Sequence, residues 1–116
     1  MQEYIYVICP VRNITKEQED EISLYVNKQE VEGHTVHFPP RDVDQSDPTG
    51  ITICSRHAQA MTAATRVDVF WDKTSSGSHF DLGMAYILRK RIKIVKLYQP
   101  DSEGKSYVKV MQSMGE

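Results

Sequence analysis

The feature that most constrains this chain is the regular alternation of short strand-like segments with helical ones along its length. Runs rich in β-branched and aromatic residues stand at 4–8, 35–38, 67–71 and 93–97. Strands separated by helices and short connections form right-handed βαβ units around a parallel sheet. At 116 residues the chain fits one domain. The sequence therefore predicts a single small doubly wound α/β domain, flavodoxin-like or Rossmann-like. We expect a mostly parallel sheet of four to five strands, with helices on both faces.

Helix signals fill the intervals between the strands. Thr15 and Gln18 form a capping box that predicts a helix to about Glu32. The Asp47-Pro48-Thr49 segment looks like the start of a second helix. A third helix is expected from Phe80 to about Lys90, and Tyr107–Met111 could be an edge strand or a short helix.

Doubly wound folds bind ligands just beyond the carboxyl ends of their strands. This rule selects three loops: Cys9–Asn13, Pro39–Gly50 and Asp72–Ser78. The last loop combines small hydroxyl residues with Gly77 directly before a helix. Free amides at a helix start, with hydroxyls beside them, suit a phosphate. The alternative is an ordinary loop whose serines cap the helix.

Several side chains near these loops could carry chemistry. Asp81 is expected in the first turn of the third helix, on a face built for burial, which makes it a candidate nucleophile or charge stabiliser. The alternative is that it complements the helix dipole. Arg12 could hold a phosphate or carboxylate, or be a surface arginine. Tyr6 lies mid-strand, where most tyrosines belong to the core, and His57 on an apolar stripe fits a satisfied core histidine.

Composition narrows the classes of partner. Fourteen Lys and Arg against sixteen Asp and Glu give a net charge of -2, which argues against a protein that coats a nucleic-acid polymer. No apolar run approaches the roughly 18 residues of a membrane span. Cys9 and Cys54 stand far apart, without metal-ligand spacing. We expect a reduced cytoplasmic protein without metal or cofactor, small enough to pair with a second subunit.

Two segments carry a family resemblance: YIYVICPVRN near the start and DVFWDKTSSGSHFDLGMAYILRKRIKIV in the second half. They resemble the nucleoside 2-deoxyribosyltransferase superfamily, which includes the 2′-deoxynucleoside 5′-monophosphate N-glycosidases. The similarity runs from about Tyr4 to Pro100. It implies cleavage or transfer at the N-glycosidic bond of a nucleoside or its 5′-monophosphate, by a retaining mechanism, in a homodimer or higher homo-oligomer.

The resemblance also implies roles for individual residues. The nucleophilic acid of the family falls on Asp81, and Tyr6 would orient that acid or the sugar. The remaining matched or neighbouring residues would bind the phosphate or another part of the substrate. They are Arg12, Asn13, Ser75, Gly77 and Ser78, with Arg41 and Asp42 as further candidates that could equally be a solvated pair.

The chain departs from the family pattern at three points. Asp81 stands where the family usually has Glu, whose side chain is one methylene longer. The acid usually found in the second helix is missing, or is replaced by His57 or Asp72. A serine that the monophosphate branch takes from a neighbouring subunit has Ser106 as its nearest match.

Three functions follow from these patterns. The first is an enzyme of N-glycosidic bonds, and Arg12 with Ser75 favours a 5′-phosphorylated substrate. The second is a nucleotide-binding or sensing module that retains the pocket without turnover, which the shorter acid and the missing helical acid favour. The third, a structural interaction domain, is the least attractive because the hydroxyl-rich loop adjoins an inward-facing acid.

Overall fold

The computed structural model describes residues 2–115. In that range the strands are β1 (Tyr4–Ile8), β2 (Thr35–His37), β3 (Arg66–Trp71) and β4 (Ile92–Leu97). The helices are α1 (Lys16–Val31), α2 (Pro39–Asp42), α3 (Ile51–Ala63), α4 (Ser76–Ile87) and α5 (Tyr107–Ser113). Each strand lies within one residue of its predicted bounds, which confirms the alternating pattern.

The strands described form one parallel sheet in the order β2-β1-β3-β4. On the central strand β1, Tyr6 is level with His37 of β2 and with Val67 of β3. The segment after β4 forms α5 rather than a further strand, so the sheet has four strands within residues 2–115. The predicted doubly wound α/β fold is confirmed.

Side chains on the strands alternate between the two faces of the sheet, as the two-residue period of a strand requires. On β1, Ile5 and Val7 belong to the core beneath α1, whereas Tyr6 and Ile8 belong to the core on the opposite face. That opposite face is covered by α3, α4 and α5. The alternation thus directs the hydroxyl of Tyr6 toward the helices that follow β2 and β3.

The first helix follows its sequence signals. The Thr15 side chain accepts from the backbone N–H of Gln18, and the Gln18 side chain accepts from that of Thr15, so the predicted capping box is present. The helix ends at Val31, and Gly33 follows with a φ of 98°. A residue without Cβ adopts this left-handed conformation without steric cost.

Three expected boundaries are wrong. The helix expected to start at Asp47-Pro48-Thr49 is α3, which begins at Ile51 with Gly50 as its N-cap. The segment after β2, predicted as an irregular loop, begins with the one-turn helix α2, because proline has the φ of a first helical turn. The helix expected from Phe80 starts at Ser76 and ends at Ile87, because the Ser75 hydroxyl accepts from the N–H of Ser78 and caps an earlier start. Asp81 therefore lies in the second turn of α4 rather than in the first.

A buried ionic network lies on the α1 face. Asp68 of β3 is fully buried, and the guanidinium of Arg66 donates to both of its oxygens over 2.7 and 2.9 Å. The hydroxyl of Tyr25 on α1 donates to the same carboxylate over 2.5 Å. A buried carboxylate with three donors is satisfied and ties α1 to the centre of the sheet.

Candidate active site

The strand order places a topological switch point between β1 and β3. From β1 the chain crosses to β2 on one side, and from β3 it crosses to β4 on the other. Ligands in such sheets bind outside the carboxyl ends of the two strands that flank this point. The loop after β1 holds Arg12 and Asn13, and the loop after β3 holds Asp72 and Ser75. The fold thus brings two of the three predicted loops to the two sides of the switch point.

Asp81 projects from α4 toward β1 and is only 4% exposed. Its Oδ2 accepts a hydrogen bond from the hydroxyl of Tyr6 over 2.9 Å. Residues from the first strand and the fourth helix, 75 positions apart, therefore meet in the interior. The predicted pairing of the acid with the strand tyrosine is present in the structure.

The second oxygen of this carboxylate faces a histidine. Oδ1 of Asp81 lies 3.2 Å from Nδ1 of His57 on α3. His57 is 9% exposed, and its ring stands edge-on to the ring of Tyr6, with 6.1 Å between centroids. Because Nδ1 faces a carboxylate oxygen, that nitrogen carries a proton. The other ring nitrogen, Nε2, is buried and has no hydrogen-bond partner among residues 2–115.

A second histidine completes the group. His37 of β2 lies with its ring centroid 5.1 Å from that of Tyr6 and 6.4 Å from that of His57. Its Nε2 is also buried without a partner in the described part of the chain. Burial, with the nearby His57, lowers the pKa of His37 despite the opposing charges of Asp42 and Asp81. We call Tyr6, His37, His57 and Asp81 the Asp81 cluster.

Burial and the charge of Asp81 together determine the protonation states of Tyr6 and Cys9. Burial, and then the negative charge of Asp81, raises the pKa of Tyr6 far above its ordinary value. Burial and the same carboxylate raise the pKa of the Cys9 thiol to about 12. Tyr6 is therefore a hydrogen-bond donor at any physiological pH, and Cys9 is a neutral thiol rather than a nucleophile.

The hydroxyl-rich loop before α4 caps the N-terminus of that helix. The Ser75 and Ser78 hydroxyls lie 2.8 Å apart, and Ser78 is buried. Gly77 is exposed and has open space around it. This geometry fits the capping alternative, whereas phosphate binding by Ser75, Gly77 and Ser78 stays a prediction.

The loop after β1 presents exposed polar side chains. Arg12 is exposed and makes no hydrogen bond or ion pair with another residue of 2–115. Asn13 is exposed with a φ of 55°, a conformation that asparagine adopts more readily than most residues. A guanidinium with free donors suits an anionic ligand, so the predicted role of Arg12 stays open.

Asp72 has a different role from that of Asp81. Its Oδ1 accepts from the N–H and hydroxyl of Thr74 over 2.9 and 2.7 Å, and from Nε2 of Gln99 over 2.9 Å. Burial opposes ionisation of this carboxyl, but the hydrogen bonds from Thr74 and Gln99 outweigh it and lower the pKa. Asp72 holds the loop together, and its described contacts do not include Asp81. Of the two candidates for the missing helical acid, His57 is the one in contact with Asp81.

Arg41 and Asp42 are bound chiefly to their own surroundings. The Arg41 guanidinium donates to both oxygens of Asp42 over 2.7 and 2.9 Å, and to Glu30 over 3.0 Å. Oδ2 of Asp42 also accepts from the backbone N–H of Phe38. These contacts match the alternative of a paired loop, so a ligand role for the pair stays a prediction.

Two open clefts adjoin this edge of the sheet. One, of about 300 Å³, lies between the ends of β1 and β2 and the start of α1, and Cys9, Phe38 and Arg41 are among its walls. The other, of about 200 Å³, contains a stack of Trp71, His79 and Tyr107, together with Ser106. Ser106 caps α5 by accepting from the N–H of Lys109. Asp81 lines neither cleft.

The sequence alone did not reveal that both His37 and His57 belong to the Asp81 cluster. His57 interrupts an otherwise apolar stripe on α3. This interruption is the sequence signal that could have identified His57 as a member of the cluster. His37 stands directly before Phe38-Pro39-Pro40, at the carboxyl end of β2. A histidine at that end of a parallel strand faces the ligand edge. Among residues 2–115, no group of three or more His, Cys, Asp or Glu side chains is placed to hold a metal ion.

Comparison with known proteins reveals relatives of the fold. No protein-family profile matches the sequence, and no curated protein sequence matches it. Solved structures of similar fold include the following two. A CMP N-glycosidase from Clostridium botulinum superposes with a TM-score of 0.69 and 12% identity, over 97% of this chain and 82% of the other. A 2-deoxyribosyltransferase from Bacillus psychrosaccharolyticus gives a TM-score of 0.67 and 16% identity, over 97% and 96%.

Sequence identities of 12% and 16% establish a shared fold but not a shared activity. The resemblance to the nucleoside 2-deoxyribosyltransferase superfamily, stated from two sequence segments, is confirmed as a likeness of fold that covers nearly the whole chain. No helix within residues 2–115 has both the length and the apolar character that crossing a bilayer requires.

Proposed function

We propose that this protein cleaves the N-glycosidic bond of a nucleoside 5′-monophosphate, or transfers its sugar, with Asp81 as the nucleophile. One observation carries the proposal: the Asp81 carboxylate is held from both sides, by Tyr6 and His57, in the second turn of the helix that follows β3. A fixed carboxylate facing a switch point can stabilise a cationic sugar and then bond to it.

The reaction has two steps in this proposal. An oxygen of Asp81 attacks the anomeric carbon as the bond from that carbon to the base nitrogen breaks. This gives a glycosyl ester of Asp81 and the free base. Water, or a second base, then attacks the anomeric carbon and releases the Asp81 carboxylate. The carboxylate thus balances the positive charge of both oxocarbenium-like transition states.

Tyr6 is the positioning residue for this carboxylate. Its hydroxyl is a permanent donor to Oδ2, because burial and the charge of Asp81 raise its pKa. A hydrogen bond that fixes the nucleophile in advance lowers the cost of reaching the reactive geometry. The same bond also keeps one oxygen lone pair away from water.

Phosphorylated substrates are favoured by the loops around the switch point. Arg12 offers unpaired guanidinium donors beyond β1, and Ser75 offers a half-buried hydroxyl beyond β3. Together they could hold a 5′-phosphate between them. One protein of similar fold is a CMP N-glycosidase, which supports a nucleoside monophosphate as the first substrate to test.

The test is release of free base. Purified protein is incubated with CMP and with the four deoxynucleoside 5′-monophosphates, and the bases are separated by chromatography. We expect release from at least one nucleotide, and its loss in Asp81→Ala. Asp20→Ala, at an exposed aspartate of α1, is the control and should retain full activity. Turnover that survives Asp81→Ala would refute the assignment of the nucleophile.

A second candidate function is nucleotide binding without turnover. Two observations favour it: Asp81 is only 4% exposed, and both of its oxygens already have hydrogen-bonding neighbours. In that case calorimetry would detect binding of a nucleoside monophosphate, while no free base would appear, even with an acceptor base added.

A further inference from the structure

We propose that His57 is the proton-transfer residue of this site: Nε2 protonates the departing base and later accepts a proton from water. This inference rests on the proposed function and names a residue that does its acid–base work. It is carried by the orientation of the imidazole, which turns one nitrogen to the nucleophile and leaves the other without a partner.

The unpartnered nitrogen is the first argument. Buried polar atoms nearly always have a hydrogen-bond partner, and an exception asks for an explanation such as a missing ligand. Nε2 of His57 is buried in a side chain that is itself about nine-tenths buried. Its ring cannot turn freely, because Nδ1 lies 3.2 Å from Oδ1 of Asp81. Nε2 is therefore held in place with its hydrogen-bonding capacity unused by residues 2–115.

The contact with Asp81 is the second argument, because it places the imidazole ring against the charge of the nucleophile. While Asp81 is a carboxylate, its negative charge stabilises the protonated ring. When an Asp81 oxygen bonds to the anomeric carbon, that charge disappears at 3.2 Å from Nδ1. A proton on the ring then loses its attraction to Asp81 at the moment when the departing base needs a proton.

The charges of the groups that face His57 are compatible with proton transfer to and from its ring. Asp81 of α4 supplies the negative charge. Tyr6 of β1 is neutral, since its pKa is raised, and His37 of β2 has a lowered pKa and is neutral near pH 7. Cys54 lies one turn earlier on α3 and is exposed. Asp81 is thus the negative charge in direct contact with the His57 ring.

The proton balance closes over the two steps. In the first, the bond between the anomeric carbon and the base nitrogen breaks, and the Nε2 proton of His57 goes to the base. In the second, water bonds to the anomeric carbon, one of its protons goes to Nε2, and the ester bond to Asp81 breaks. The carboxylate and the imidazolium are both restored, with no further reactant.

Two substitutions separate proton transfer from a structural role. His57→Asn places an amide N–H near the position of Nδ1, so it keeps a donor for Asp81 and removes Nε2. His57→Gln places its amide near Nε2 and removes the donor to Asp81. His34→Asn is the control, because His34 accepts from the backbone of Glu3 at the opposite edge of the sheet. Thermal unfolding establishes which variants fold.

The readout is kcat/KM against pH, with the nucleotide from the panel that the wild type converts fastest. We expect a wild-type rate that falls at high pH, as that of a reaction with a general acid does. Both His57 variants should lose about a hundredfold or more, the range typical of a general acid, and should lose this alkaline limb. His34→Asn should keep rate and profile.

Results that would overturn the role of His57 differ from those that would refute the proposed function. Nearly full activity in His57→Asn with an unchanged alkaline limb would show that His57 only orients Asp81, and would overturn the proposal. So would a wild-type profile without that limb. Base release absent from the wild type with every nucleotide would instead refute the proposed function, and this inference with it.

Discussion

The Tyr6 hydroxyl donates to Oδ2 of Asp81 over 2.9 Å, with Tyr6 fully buried and Asp81 4% exposed. The contact exists because β1 alternates its side chains between the faces of the sheet, and because α4 starts at Ser76 rather than four residues later. It joins a mid-strand tyrosine, a residue that most often serves only the core, to a buried carboxylate on α4.

Removing this hydroxyl should impair activity more than folding. In Tyr6→Phe, Oδ2 of Asp81 keeps its burial and loses its donor. We expect kcat/KM to fall by about a hundredfold, as when a reacting group shifts by roughly 1 Å, and the free energy of unfolding to fall by about 1–3 kcal/mol. Base-release kinetics and urea unfolding measure the two effects. Tyr86→Phe, at an exposed tyrosine, should change neither.

Lengthening the acid should also be harmful, because Asp81 is already enclosed. In Asp81→Glu the extra methylene must fit where Tyr6 and His57 already contact the carboxylate. Overpacking of this kind typically costs about 1–3 kcal/mol, and we expect a loss of activity of about a hundredfold. Higher activity in Asp81→Glu would show that the surrounding residues are not matched to the shorter acid.

Arg12 should distinguish phosphorylated from free substrates. Arg12→Ala removes exposed donors that no described residue uses. We expect KM for a nucleoside 5′-monophosphate to rise about tenfold or more, as expected for the loss of a charge-assisted contact worth about 1.5–3 kcal/mol, with KM for the free nucleoside unchanged. Arg89→Ala, at an exposed arginine just after α4, is the control. Equal effects on both substrates would refute the phosphate site.

The ionic network on the α1 face should contribute to stability alone. Asp68→Asn leaves the Arg66 guanidinium without its buried partner and weakens the contact with Tyr25. Breaking a buried pair from one side costs about 3–5 kcal/mol. Urea unfolding should show a loss of this order, while the activity per folded molecule should stay the same. Glu103→Gln, at an exposed glutamate, should be neutral in both measurements.

Stability should depend on His37 at mildly acidic pH. Burial lowers the pKa of His37 in the folded protein, so the unfolded chain binds a proton first as the pH falls below about 6.5. The contribution of a neutral His37 is thus fully present above that pH and is lost below it. The urea midpoint should fall between pH 7 and pH 5.5, and it should fall less in His37→Asn. An identical pH dependence in the two proteins would contradict this assignment.

The fold was largely predictable from local signals. The strands are set by runs of β-branched residues, and α1 by a capping box and the glycine that follows it. The helix starts were harder to predict, because proline and serine suit both loops and first turns. Ser75 caps α4, which begins earlier than the apolar periodicity indicated, and Pro39 opens α2, where a loop was expected.

The site was predictable only in part. Asp81 and Tyr6 were singled out from the sequence, and the structure brings them together. The contact between Asp81 and His57 joins residues 24 positions apart on different helices, so it depends on how α3 and α4 pack. Pairings of this kind arise from tertiary packing, and no local pattern encodes them. Asp72 was a reasonable candidate by position, but its hydrogen bonds go to Thr74 and Gln99.

The two faces of the sheet differ in how far a chemical label attached to them would lie from the Asp81 cluster. The Asp81 cluster lies under α3 and α4, whereas α1 covers the other side alone. Val31, 87% exposed at the last turn of α1, lies at the end of the helix remote from the loops beyond β1 and β3. A cysteine placed there would give an attachment point for a dye or a solid support, with the carboxyl edge of the sheet left uncovered.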